Sequence, residues 1–125
     1  MALLLPLIAW ASGSVANTLE ECVAKADGSP ATAGCHAVEV VRLEKEVRVA
    51  LRDALKRIDE DSVLSSHKKS LTRNLLMKSQ RQWNQFRGTD CLAAYEAVDG
   101  TGASLAASQC HISHIQRRLE DLSKW

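Results

Sequence analysis

The chain has 125 residues, 46% hydrophobic and 25% charged, enough for one packed domain and too apolar for a disordered segment. Its 16 basic and 15 acidic side chains leave a formal charge of +1, without the basic excess of a protein that holds nucleic acid by general electrostatics. Aromatics make up only 4%, so Leu, Val, Ile and Ala must supply most of the core.

Residues 1–16, MALLLPLIAWASGSVA, carry no charged side chain. An apolar run from Ala2 to Trp10 gives way to small residues ending in Ser14-Val15-Ala16, the order of a secretory signal and its cleavage site. No Lys or Arg precedes the run, and an apolar helix packed on the domain is the competing reading. The run is shorter than the roughly 20 residues of a membrane span, so stable membrane insertion is not expected. Cys22 follows Glu20-Glu21 rather than small apolar residues, which argues against a lipid anchor. The expectation is a signal peptide over 1–16 and a helical domain over 17–125.

Helical periodicity runs through the remainder, with no alternating strand pattern. Asn17 and Thr18 can cap a short helix over LEECVAKA, and DGSPATAG then breaks it with two Gly and a Pro. A second helix is predicted from about Ala33 to Asp59. Val40, Leu43, Val47, Leu51, Ala54, Leu55 and Ile58 recur along it at three- and four-residue steps. The polar turn DEDS follows, where Asp61 or Ser62 can cap the next helix. That third helix is predicted over about Val63 to Val98, carrying Leu64, Leu71, Leu75, Met77, Trp83, Phe86 and Tyr95, with Gly88 as its weak point. After the loop DGTGAS, a last helix bears Leu105, Gln109, Ile112, Ile115, Leu119 and Leu122 on one stripe. The fold class is all-α: a small antiparallel bundle of three main helices and one short N-terminal helix. An arm formed by two long helices reaching past the rest is a variant of the same reading.

Four cysteines, Cys22, Cys35, Cys91 and Cys110, follow the candidate signal, and an even count in an exported protein points to two disulfides. Three pairings are possible. The two local ones, Cys22–Cys35 and Cys91–Cys110, are preferred because each pair flanks a Gly-containing loop, and each closure is worth about 3 kcal/mol in the chain-entropy model. The grouping Cys110-His111 with His114, and Cys35-His36 elsewhere, resembles metal ligands, but two disulfides would consume every thiolate, so no metal or other cofactor is expected.

Enzyme motifs are absent: there is no G-x-S-x-G, phosphate-cradling Gly loop or H-E-x-x-H, and the acids are interspersed with Lys and Arg as on solvated helix faces. No catalytic residue is therefore assigned. Lys68, Lys69, Arg73, Lys78 and Arg81 form a basic stripe on the third helix, read mainly as a solvated face and otherwise as a surface for an anionic protein. Gln80, Trp83, Arg87 and Cys91 lie at steps of three, four and four, on one face of that helix. An indole, a guanidinium that can lie over it, and a cysteine staple read as interior scaffold ahead of a partner contact.

The pattern Gln80-Arg81-x-Trp83-x-x-Phe86-Arg87-x-x-x-Cys91, a Gly100-Thr101-Gly102 loop, Cys110, and then Arg118-x-x-x-Leu122 resembles the LprI-like family of secreted bacterial proteins. Cys22 and Cys35 fit that family's upstream cysteines, and the resemblance covers nearly the whole of residues 17–125. It implies a helical, disulfide-linked exported protein, periplasmic or secreted, with Gln80, Trp83, Phe86, Arg87, Arg118 and Leu122 as motif scaffold. The family takes its name from a lipoprotein that inhibits lysozyme. The implied function is a non-enzymatic protein that blocks a lysozyme sterically, with the acidic turn Asp59, Glu60 and Asp61 as a rim contact for a basic enzyme. The alternative is a structural or accessory envelope protein that binds another envelope protein. Neither reading involves nucleic acid or fixes an oligomeric state.

Overall fold

A computed structural model of the protein describes residues 17–125; the expected export signal over 1–16 lies outside the described residues. Four helices follow one another: α1 (Asn17–Lys25), α2 (Gly28–Glu60), α3 (Ser66–Glu96) and α4 (Ala103–Ser123), with a 3-10 turn over Gly100–Gly102 ahead of α4. No strand occurs among the described residues.

The cross-helix contacts set the directions. Asp59 meets Lys69 and Arg73, while Glu44 meets Arg87, so α2 and α3 run antiparallel. Cys110 joins Cys91 and Arg118 meets Gln80, so α4 returns antiparallel to α3. α4 packs against both long helices, which touch each other much less than either touches α4. At the far end Arg57 donates to the carbonyls of Leu122 and Trp125 at 3.2 and 3.1 Å. The end of α4 is therefore fastened to the last turns of α2, and the α2–α3 hairpin does not project beyond it as a free arm.

The apolar stripes on α2 and α4 explain this arrangement. Leu43, Val47, Ala54 and Ile58 from α2 meet Ile115 and Leu122 from α4 and Leu76 from α3, with Val40, Leu51, Leu55, Ile112 and Leu119 around them. Fully burying a side chain such as Ile115 or Leu122 contributes about 1.5–3 kcal/mol. Gln109, the polar interruption in the α4 stripe, is exposed.

Two helix limits differ from the sequence expectation. α2 starts at Gly28 and runs through the stretch expected to break it. Pro30 sits in the first turn, where the N–H it lacks would have no intrahelical partner. Gly28, at φ +82°, makes the sharp turn from α1 that a side chain would oppose. α3 starts at Ser66 rather than near Val63, because Ser65 is its N-cap and accepts from the Lys68 N–H at 3.2 Å. Asp61 instead shapes the turn itself, accepting from the N–H groups of Val63 and Leu64 at 2.7 and 3.0 Å.

Both disulfides have the local pairing. Cys22–Cys35 ties α1 to α2, and Cys91–Cys110 ties α3 to α4, with Cα–Cα separations of 5.8 and 5.5 Å.

Candidate functional site

The inward face of α3 is built from Leu76, Gln80, Trp83, Arg87 and Cys91, spaced as one helical face. Leu71, Leu75, Met77, Phe86 and Tyr95, which the third helix was expected to carry, are exposed. A polar seam results. Trp83 packs at the edge of the apolar core, with the Arg87 guanidinium 4.9 Å and that of Arg118 5.9 Å from its ring centroid. Two cations on one indole exploit its negative face, and the nearer is worth about 0.5–1 kcal/mol or more where desolvated.

Each guanidinium also reaches another element. Arg87, only 11% exposed, donates to Glu44 Oε1 on α2 at 3.1 Å and meets His111 Nδ1 on α4 at 3.2 Å. Burial first, and the Arg87 cation second, hold His111 below the ordinary imidazole value. The ring is thereby favoured as neutral, with Nδ1 accepting from Arg87. Arg118 donates to Gln80 Oε1 at 2.9 Å and to Ser79 Oγ at 3.1 Å. Burial lowers its pKa, with Asp121 acting in the opposite sense. Gln80 is thus the buried acceptor for Arg118. Among the motif residues Leu122 is fully buried, whereas Phe86 is 59% exposed and packs edge-on to the His114 ring at 5.4 Å.

Beside Phe86, His114 Nε2 lies 2.5 Å from Asp90 Oδ2. Ligand atoms of Asp90, Cys91, Cys110 and His114 fall within 4.8 Å of one another. All four cysteines of the chain are paired in disulfides. In this oxidised form the cluster offers a metal only an imidazole and a carboxylate, fewer than the three or four ligands a zinc site needs. His36 lies elsewhere, its Nδ1 2.9 Å from the Thr32 carbonyl on its own helix.

At the opposite end, the α2–α3 turn carries the acidic residues. Asp59 pairs with Arg73 at 2.7 Å and its carbonyl accepts from Lys69 at 2.8 Å, while Glu60 faces Lys56 at 3.8 Å. Two members of the basic stripe are therefore engaged in holding the turn. The N–H groups of Leu64 and Val63 keep the Asp61 carboxyl below the usual carboxylate range. Val63, at 90% exposure, stands out from this braced turn as the most exposed large apolar residue among the described residues.

Glu44, Ser79, Asp90 and His111 complete these networks and were not singled out for these contacts by sequence. Each meets its partner across two helices or within a polar seam, so no spacing in the chain signals the contact.

Residues 17–125 form a small helical scaffold, cross-linked by two disulfides, whose half-buried cations tie three helices together. The family described as Lysozyme inhibitor LprI matches over residues 22–122. The chain belongs to that family. No curated protein and no solved structure matches it. Among the described residues, no helix is long and apolar enough to cross a membrane.

Proposed function

We propose that the protein is an exported, non-enzymatic binding protein that inhibits a lysozyme by occluding its cleft. The family match over residues 22–122 carries this reading. Two disulfides suit an oxidising compartment such as the bacterial periplasm or the exterior. The α2–α3 turn is the contact we favour. Steric inhibition is helped by a contact element that loses little freedom on binding, and Asp61, Ser65, Lys69 and Arg73 already brace this one.

Val63 offers an apolar tip, flanked by Asp59, Glu60 and Asp61. The pairs made by Asp59 and Glu60 are solvent-exposed, worth about 0–1 kcal/mol each, so both carboxylates can re-pair with cations of a basic enzyme at small cost. Asp61 acts by shaping the turn.

The accessory-protein alternative draws on the exposed Leu71 and Leu75, one turn apart on α3. A partner helix laid along them would cover both, and co-purification of one envelope protein in stoichiometric amount, lost in Leu75→Asp, would favour it.

The deciding experiment titrates oxidised protein against several lysozyme types in a peptidoglycan-lysis assay. Inhibition should saturate at one molecule per lysozyme, weaken at least about tenfold in Val63→Asp, as expected for a contact at the centre of an interface, and disappear after reduction and alkylation. Absence of inhibition toward every lysozyme type would overturn the reading.

A further inference from the structure

We propose that the Cys91–Cys110 disulfide covers a latent metal site. In the dithiol form, Cys91, Cys110, His114 and Asp90 make a four-donor set for a divalent cation of zinc type. The donors come from two helices and are already gathered, with ligand atoms within 4.8 Å of one another. Asp90 and Cys91 are adjacent at one level of α3. Cys110 and His114 are four apart on α4, so they share a face.

The imidazole is prepositioned. His114 is 11% exposed, held edge-on by Phe86 on one side and by Asp90 on the other. Its Nδ1 is 3.5 Å from the Arg117 guanidinium; in the metal-bound form Nδ1 carries the proton, and the exposed Arg117 swings toward solvent. Tetrahedral zinc distances require donors about 3.3–3.8 Å apart. Breaking the S–S bond lets the sulfurs separate to that spacing, and the Asp90–His114 gap widens by less than about 1 Å to admit the cation.

The helices need not part on reduction. Arg87 still spans α2, α3 and α4 through Glu44 and His111, and the apolar core lies below it.

The chemistry balances with an external dithiol or phosphine as reductant. A dithiol attacks the disulfide, delivers two electrons and two protons to give two cysteine thiols, and ends as its own disulfide; a phosphine delivers the two electrons and ends as its oxide, with water supplying the oxygen and both protons. The cation then displaces both thiol protons, and the imidazole keeps its proton on Nδ1 while Nε2 binds the cation. Metal binding and disulfide formation exclude each other, because both use the same two sulfurs. A bound cation therefore holds the protein in its dithiol form and retards re-oxidation.

The test reduces the full chain with a phosphine, removes the phosphine under argon and titrates cobalt(II). The expected result is one cobalt per chain with thiolate-to-cobalt charge-transfer absorption and tetrahedral ligand-field bands, displaced by equimolar zinc. Disulfide-bonded protein should show neither. His114→Ala and Asp90→Asn should weaken cobalt binding by about tenfold or more. Circular dichroism on each reduced sample reports whether the helices persist, and His114→Gln serves as a second, bulkier variant. Cys22→Ser with Cys35→Ser should leave the spectrum unchanged. The proposal is overturned by the absence of a thiolate band, by undiminished binding in both His114 variants, or by loss of the band when Cys22 and Cys35 are replaced.

Discussion

Trp83→Ala tests the polar seam at its centre. Truncating a core tryptophan costs about 3–5 kcal/mol, and the partial exposure of Trp83 moves its apolar share toward the lower end. The indole also carries Arg87 at 4.9 Å, worth about 0.5–1 kcal/mol, and Arg118 at 5.9 Å, near the limit of the interaction. The total is about 4 kcal/mol, which at about 4 °C per kcal/mol for a domain of this size lowers the melting temperature by roughly 15 °C. Trp83→Leu restores apolar contact but offers no aromatic face, so it should cost only about 1–2 kcal/mol. Urea and thermal melts of the oxidised protein, followed by far-ultraviolet circular dichroism, measure both. A Trp83→Ala cost below about 1 kcal/mol would refute the reasoning, as would equal costs for the Ala and Leu variants.

Replacing Cys91 and Cys110 together by Ser removes a link of sequence separation 19 between two core helices and should cost about 3 kcal/mol of global stability in urea melts. Replacing Cys22 and Cys35 should act more locally, because α1 packs on α2 alone; hydrogen exchange should show α1 losing protection while α3 and α4 keep theirs. Ile115→Ala, at a fully buried position facing α2, should cost about 3–4 kcal/mol by the same melts. Asp61 gives a pH prediction. Its folded pKa is depressed, so its contribution is complete above the ordinary carboxylate range and lost as pH falls through the folded value. Melting temperatures of the native protein and Asp61→Ala should therefore differ at neutral pH and converge in acid; a constant gap would contradict this.

The stripes on α2 and α4 were legible because their buried faces are nearly all aliphatic, and the count and spacing of cysteines pointed to the observed pairing. α3 was harder to read. Its buried face contains Gln80, Trp83 and Arg87, so a hydrophobicity pattern points toward Leu71, Leu75 and Phe86, which face solvent. The start of α2 was obscured because Gly and Pro usually break helices, whereas a first turn tolerates Pro and a sharp entry calls for Gly. Asp90 stands against His114, and Glu44 against Arg87, only once three helices are packed. The acidic turn was visible as composition, but not that Arg73 and Lys69 had already engaged Asp59.

Hydrogen exchange on the oxidised protein, alone and saturated with a lysozyme it inhibits, tests the central functional claim most directly. The account predicts new protection confined to the α2–α3 turn, residues 59–65, with the Trp83 seam unchanged because it lies outside the contact. Protection along Leu71 and Leu75 with none at the turn, or no protection anywhere, would contradict it.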